Sequence, residues 1–488
     1  MRLQMDCYIG LDIGTTNSKA IALRRDGTTE IIYEQKTKKY HSNDIEFFSI
    51  DDIEHCMNLA IQNAQEKYTV KGISFSSVGE SVVPVEISQK HAGNGAFGKA
   101  LCDPLVWYDK ATRTIAETLH EKVKIERYES RGVSLNYTMG LFKMLFMKDG
   151  NIVEKTNHPY TFLSIADYLA YRLTEKAYWD YSQACRSYLF DIHDRKWDSS
   201  LLSSLGFDME LPTCKPTGSY AGSTKTGIPV YLGGHDHIIG MYGIKLLFGS
   251  ETLFYSMGSA AVLGGFTEGK GISKQVMKER MKRISNLTIG ACYSESDYYI
   301  ENSLRYFGKL HDALASFFGS NDPKGFYDTM NDIIEKDFST ENLPVFYVEG
   351  DRITKEGISG FELRNIQLGT NPIKVVTSLY TYMGIMTKII LDELSFHFPL
   401  PQIVAGGGIV RNRLMLQFIS DIIGQPIRIL QEKELSALGA ALCAANGAGD
   451  TEIIKRAQQK IKISQIEPSP HAIARKETAE KMYKNFYS

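Results

Sequence analysis

Asp12 ends an apolar run and is followed by Gly14-Thr15-Thr16, with Lys19 close behind. A glycine lets backbone approach an anion, and the N–H groups and hydroxyls of such a turn suit phosphate oxygens. A carboxylate beside them can hold magnesium through water, because magnesium sheds its hydration shell reluctantly. Gly14, Thr15, Thr16 and Lys19 are thus candidate nucleotide-phosphate contacts, and Asp12 is a candidate metal ligand. The stretch from Leu11 to Lys19 also reads as a plain β-hairpin with an exposed polar turn.

Gly233-Gly234-His235-Asp236-His237 places a carboxylate after a Gly-rich strand end, where a helix opens. Asp236 there can take a proton from a hydroxyl attacking a phosphoryl group. It can equally serve as a helix N-cap. His235 and His237 have no third ligand nearby, so they read as a packed and a surface histidine rather than a metal pair. Ser256-Met257-Gly258-Ser259-Ala260 makes a second hairpin turn, with Gly258 and Ser259 suited to the far end of a triphosphate. Gly406-Gly407-Gly408 precedes Asn412. Glycines let a flat nucleotide lie on backbone, and an Asn amide offers the donor and acceptor an adenine edge requires. Gly407, Gly408 and Asn412 are the candidate adenosine contacts. In chain order these segments form the layout of an actin-like ATP clamp.

The elements that must position them can be read around them. Cys7 to Leu23 reads as strand, turn, strand, and Asp26-Gly27 marks a hairpin. Asp51 to Lys67 has helical spacing and an acidic start. The opening is therefore β-β-β-α-β-β, unlike strict βαβ alternation. Residues 110 to 205 read as helix in several pieces. From Val230 the pattern is strand, Gly-Gly loop, helix, and from Leu253 the hairpin plan of the opening returns. Gln402 to Ala405 is a strand and Arg411 to Ile423 an amphipathic helix. Ser436 to Asn446 is a small-residue helix that can pack very close to another backbone. The tail from Glu467 to Ser488 reads as a helix with aromatic residues on one side. The domains expected are residues 1–246 and 247–488, with no low-complexity linker between them.

The chain has 488 residues, 43% hydrophobic and 23% charged, as expected for a globular protein with a large core. A net charge of −2 argues against a nucleic-acid partner. The 7 cysteines are scattered without a Cys-x-x-Cys pair, which fits reduced thiols in the cytoplasm. No long apolar segment opens the chain, so no signal peptide is expected, and no stretch is long enough for a membrane span.

LDIGTTNSKAIALRRDG, GGHDHIIGMYG, YSMGSAAVLGG and VAGGGIVRNRLMLQFISDIIGQPI with ELSALGAALCAANGAG resemble, in order, the motifs of the FGGY family of carbohydrate kinases. Weaker echoes are DPLVWYDKATR, DYLAYRLT, DYSQACRSYLFDIHDRKWD and LPVFYVEGDR. The resemblance runs from about residue 8 to about 449. It implies an α/β fold of two actin-like, ribonuclease-H-like domains with an interdomain cleft. It implies ATP and Mg²⁺, with Asp12 on magnesium, Thr15 and Thr16 on ATP phosphates, and Asp236 as general base. Gly258 and Ser259 would bind the terminal phosphates, and Gly407, Gly408 and Asn412 the adenosine. Trp107 and Asp109 would face a sugar. A homodimer is also expected.

The chain departs from the family pattern in places. Ala111 stands where the family often has Arg, and Arg113 lies nearby. Glu80 stands about where a His is usual, and joins Trp107, Asp109 and Asp236 as a candidate substrate contact. Ser259-Ala260 replaces a Thr-Ser pair, and Met383-Gly384 a Glu-Gly pair. The expected activity is phosphoryl transfer from Mg·ATP to a hydroxyl of a ketose, xylulose-like, or of a polyol. Alternatives are a glycerol or acetate kinase, an actin-like ATPase acting as chaperone or filament, and a catalytically dead sugar sensor.

Overall fold

Cys7 to Leu11 are all buried in the first strand, β1 (Met5–Ile13), so this strand is covered on both faces. Side chains alternate along it. Cys7, Ile9 and Leu11 join the main core, while Tyr8 packs with Ala437 and Ala441 on the opposite face. The computed structural model describes residues 4–86, 98–122, 128–150, 153, 159–258, 260–269, 271–277, 287–304, 307–336, 339, 341–348, 361–395, 398, 401–432 and 434–484.

The first sheet adds β2 (Asn17–Arg24), β3 (Thr29–Lys36), β4 (Tyr68–Ser77), β5 (Tyr220–Ser223) and β6 (Pro229–His235). Its order is β5-β6-β4-β1-β2-β3. β1, β2 and β3 form an antiparallel meander, and β4 and β6 lie parallel to β1. The second sheet holds β7 (Thr252–Met257), β8 (Ala261–Thr267), β9 (Leu287–Ala291), β10 (Tyr298–Leu304), β11 (Gln402–Gly406), β12 (Ile427–Leu430) and β13 (Ile463–Ile466). Its order is β9-β10-β8-β7-β11-β12-β13. The core β10-β8-β7-β11-β12 repeats β3-β2-β1-β4-β6: an antiparallel triplet, then two strands parallel to its first member.

The helices that bear on the site are α1 (Ile50–Lys67), α2 (Ile165–Thr174), α3 (Tyr181–Cys185), α4 (Asp236–Phe248), α5 (Arg413–Ile423) and α6 (Leu435–Gly447). α6 follows the second sheet's β12 in sequence yet lies between the first sheet and α4. Its small residues permit this. A Cβ on Gly439 would sit 2.2 Å from the Ile239 carbonyl oxygen, and one on Gly10 1.9 Å from that of Ala437.

Several expectations need adjustment. Gly233-Gly234 forms no loop, because β6 runs through both to His235. Their missing side chains admit neighbours instead: a Cβ on Gly233 would meet the Phe75 carbonyl oxygen at 1.7 Å. The 110–205 stretch is interrupted by Tyr160–Ser164, an aromatic and β-branched strand paired with Val82–Glu86. The amphipathic helix α5 starts at Arg413, after a 3₁₀ turn over Gly408–Arg411. Among the described residues the tail after β13 holds a helix only over Ala472–Met482, and the Tyr483 hydroxyl bonds the Phe346 backbone. Residue 246, near which a connection without a low-complexity linker is expected to divide the domains, lies in the continuous helix α4, and the expectation of a continuous connection needs no adjustment.

Gly439→Val forces α6 away from α4 and should lower unfolding stability by about 1–3 kcal/mol or more. Gly271, with open space around it, is the control: Gly271→Ala should stay within about 0.5 kcal/mol. Denaturant melts of both variants check this.

Candidate active site

Asp12 lies directly across from Ser76 of β4, which lies across from Gly234 of β6. Parallel strands in this register end together, so Asp12, Ser76 and the start of α4 share one edge of the sheet. Ser76 Oγ donates to Asp12 Oδ1 at 2.7 Å. Burial pushes the Asp12 carboxyl up to about 7, and the Asp236 charge is the next contributor, followed by a smaller one from Glu434. The Asp236 charge thus reaches the Asp12 carboxyl.

Asp236 is the first residue of α4, and His235 is its N-cap residue, without a side-chain cap bond. The N-cap alternative for Asp236 is thus replaced: its Oδ1 accepts the His237 N–H at 2.7 Å from inside the first turn. A helix N-terminus favours a negative charge at this point. His235 is buried, as expected of a packed histidine, and burial holds its imidazole well below the usual range.

A clamp beneath the edge fixes Asp236. Asp180 caps α3, accepting from the Ser182 and Gln183 N–H groups at 2.8 and 3.1 Å, and its Oδ2 accepts the Thr217 hydroxyl. Ser182 Oγ in turn accepts the His235 N–H at 2.9 Å. Gln183 Nε2 donates to Ser77 Oγ at 2.9 Å, so α3 holds the ends of both β4 and β6. Asp180's own N–H donates to Asp167 Oδ1 at 3.0 Å, placing two buried carboxylates together.

The first phosphate-type turn is braced from within. Gly14 N–H donates to the Asn17 carbonyl at 3.1 Å, and Thr37 Oγ1 donates to the Gly14 carbonyl at 2.8 Å. The Thr16 carbonyl accepts the Thr37 N–H at 3.0 Å. Trp107 Nε1 donates to Thr15 Oγ1 at 3.0 Å, which joins a candidate sugar contact to this turn. Lys19 Nζ is held by Glu434 at 2.7 Å and Glu34 at 3.2 Å.

At the second turn, Gly258 N–H donates to the Ala260 carbonyl at 2.9 Å, and Gly258 accepts from Gly308 N–H at 3.1 Å. Ser259 lies outside the described residues. Gly407 has φ +113, a backbone state that favours glycine, and a Cβ there would meet the Met257 carbonyl oxygen at 2.4 Å. The glycine triplet therefore lies against the second turn, and Gly408 faces open space. Asn412 caps α5: its Oδ1 accepts the Met415 N–H at 3.1 Å and an Asn331 amide proton at 3.2 Å. Its Nδ2 donates to the Tyr380 hydroxyl at 2.8 Å.

Glu80 has φ +61 and a largely buried side chain that feels Asp236. Burial pushes its carboxyl up, against the pull of Arg186 and Lys143. Asp109 accepts the Ala111 N–H and the Glu46 N–H, both at 2.8 Å, and so ties its loop to the Ile45–Phe48 strand. With Glu46 and Ala111 it also lines a cavity of about 420 Å³. Arg113 stacks on the Tyr137 ring at 4.7 Å.

Sequence reasoning missed Ser76, Lys143, Asp180, Ser182 and Arg186. Lys143 is fully buried, and burial brings its amine down to about 8 against the opposing charges of Glu80 and Asp109. The usable signal was a cation set among apolar residues, as in Gly140-Leu141-Phe142-Lys143-Met144 and Cys185-Arg186. The residues present fit a magnesium nucleotide. Among the described residues no cluster of three or more His, Cys, Asp or Glu could by itself hold a metal. Magnesium bound through one or two carboxylates, water and phosphate needs no such cluster.

The profile of the FGGY family of carbohydrate kinases, N-terminal domain, matches residues 7–243, and that of its C-terminal domain matches 290–448. A glycerol kinase of Bacillus subtilis is 25% identical over 474 residues, 91% of each chain. One from Carboxydothermus hydrogenoformans is 25% identical and covers 98% of this chain and 96% of its own. A ligand-bound xylulose kinase from Lactobacillus acidophilus superposes with a TM-score of 0.81 at 16% identity, over 99% of this chain and 97% of that one. Plasmodium falciparum glycerol kinase with ADP gives 0.79 at 18% identity, over 99% and 98%. The fold is the expected one of two actin-like, ribonuclease-H-like domains. No helix among the described residues is long and apolar enough to cross a membrane.

The Asp167–Asp180 pair carries a pH prediction. Burial pushes Asp180 up to about 7 and Asp167 well above the carboxylate range, Asp180's charge adding to the latter. The folded chain thus holds protons that the unfolded chain has lost. The associated stabilisation is complete below the unfolded carboxylate pKa of about 4 and fades as pH rises through about 7. Urea midpoints should fall between about pH 6 and about pH 8, and Asp167→Asn should flatten that fall.

Proposed function

The chain belongs to the FGGY family of carbohydrate kinases, and on that premise we propose that it transfers the γ-phosphoryl group of Mg·ATP to a hydroxyl of a ketose (a pentulose or hexulose, xylulose-like) or of a polyol. The observation that carries this reading is the one sheet edge that holds both Asp12 and Asp236.

In this proposal Asp236 is the general base. Its Oδ1 is fixed by the His237 N–H, which leaves Oδ2 to orient the acceptor hydroxyl and take its proton. Asp12, held by Ser76, is the carboxylate for magnesium, which when bound offsets the charge on the phosphate oxygens. The Gly14-Thr15-Thr16 turn and Gly258-Ser259 grip the phosphates from opposite lobes, divided near residue 246. Donors aimed at a phosphoryl group in a closed cleft stabilise its transition state, and closure excludes competing water. Gly407 and Gly408 form the adenosine floor. Asn412, its amide engaged by Met415, Asn331 and Tyr380, supports that floor instead of reading the base. Lys19, held by two carboxylates, is given to the tie between β2 and the start of α6 and not to phosphate. Glu80, Trp107 and Asp109 shape the sugar pocket, Asp109 by holding its loop.

Glycerol as acceptor is the second reading, favoured by the glycerol kinases among the curated relatives. A screen of ATP consumption against ketoses, polyols and glycerol at fixed magnesium separates the two. Ketose or larger polyol turnover above glycerol supports the first reading, and glycerol above the rest supports the second. Acceptor-independent hydrolysis alone would sink both. A homodimer and a cytoplasmic location complete the proposal. Among the described residues no disulfide joins the cysteines, which suits a reducing compartment.

Asp236→Asn should retain the fold and nucleotide affinity yet lose transfer by roughly 10²–10⁴-fold. Coupled ADP release and calorimetric nucleotide titration check this. Near-wild-type turnover in the variant would remove Asp236 from the mechanism.

A further inference from the structure

Arg186 follows α3 directly, and its guanidinium lies between two carboxylates. Nη2 donates to Glu301 of β10 at 2.6 Å. Nη1 stands 3.9 Å from Glu80 Oε1. The first distance is a charge-assisted hydrogen bond, and the second is too long for one. The side chains of Arg186 and Glu80 each keep 12% exposure, so the gap between them is not sealed. A hydroxyl oxygen at ordinary hydrogen-bond distance from both atoms would fit that gap. It would accept from Nη1 and donate to Glu80.

Two features hold the gap in place. Glu301 fixes the far arm of the guanidinium from the second sheet, so Arg186 cannot swing onto Glu80 without breaking its shorter bond. Gly79 makes room for the arrangement: a Cβ there would lie 2.3 Å from His235 Cδ2 and 3.1 Å from Arg186 Cγ. Gly79 packs on His235, the residue before Asp236, so the segment that carries Glu80 lies against the start of α4, and the Asp236 and His237 charges reach the Glu80 carboxyl. The gap thus lies beside the segment that carries Asp236.

We propose that Arg186 and Glu80 together recognise a second hydroxyl of the acceptor, one other than the hydroxyl that is phosphorylated, and so make Arg186 a specificity-determining residue. This rests on the kinase reading above. It selects acceptors with at least two hydroxyls at a fixed separation. A rigid donor–acceptor pair rejects an analogue lacking its partner group strongly, since both polar groups are then left unmet.

The test compares wild type with Arg186→Lys and Arg186→Met on D-xylulose and glycerol, each beside a deoxy analogue, 1-deoxy-D-xylulose and propane-1,3-diol. Lysine keeps a cation for Glu301 but loses the second arm, so a folded variant is available if the Met variant unfolds. The expected result is a rise of about tenfold or more in acceptor KM, with the KM for ATP unchanged. On the deoxy analogue of the accepted substrate, wild type and variant should converge. An equal loss on the full and deoxy acceptors, or no loss at all, overturns the role of Arg186 while leaving the kinase reading intact. Failure of wild type to phosphorylate either acceptor overturns the present form of both.

Discussion

The parallel register of β1, β4 and β6 governs this molecule's chemistry. With Asp12 beside Ser76 and Ser76 beside Gly234, three strand ends and one helix N-terminus meet on one edge. A shift of one residue in any of these pairings would turn the side chains to the opposite face. The two buried faces of β1, one in the main core and one against α6, set the register on one side, and the Asp180–Ser182–Gln183 clamp pins the ends of β4 and β6 on the other. Few groups in that clamp face water. Its polar atoms are matched among themselves, and such buried networks are rigid when satisfied.

The second constraint is the bond between the sheets. Close backbone contact lets α6 lie on the first sheet although it follows the second sheet's strands. Two ion pairs cross near it or beside the cleft: Lys19 with Glu434, and Arg186 with Glu301. Both are largely shielded, so breaking one partner would leave a poorly solvated charge. Glycines recur where backbone meets backbone, at Gly10, Gly439 and Gly407. Small residues here are conditions for those backbones to approach one another so closely.

Much of this was legible in the chain itself. The three opening strands, the helix after Asp51, the return of the hairpin plan after Leu253 and the glycine triplet before a helix all follow from local pattern, because hairpin turns and amphipathic helices are local; the extra hairpin of Lys39–Ser42 and Ile45–Phe48 before that helix was missed. What was not legible depends on long-range pairing. Gly233-Gly234 read as a loop, since only the neighbours Phe75 and Ser182 reveal why a strand there needs glycine. Asn412 and Lys19 offered suitable chemistry by type, and the partners the fold gives them, Asn331 and Tyr380 for one and Glu34 and Glu434 for the other, could not be read from the chain. Arg186 and Lys143 escaped notice because a buried cation has no spacing signature. Its meaning comes from carboxylates brought near by the fold.

A structure determined with magnesium, a non-hydrolysable ATP analogue and D-xylulose or glycerol, whichever is turned over, tests the central claim most directly. The account predicts the terminal phosphate between the Gly14–Thr16 and Gly258 turns, with the acceptor oxygen at hydrogen-bond distance from Asp236 Oδ2. A nucleotide bound away from Asp12, or an acceptor whose hydroxyls all lie out of reach of Asp236, would contradict it.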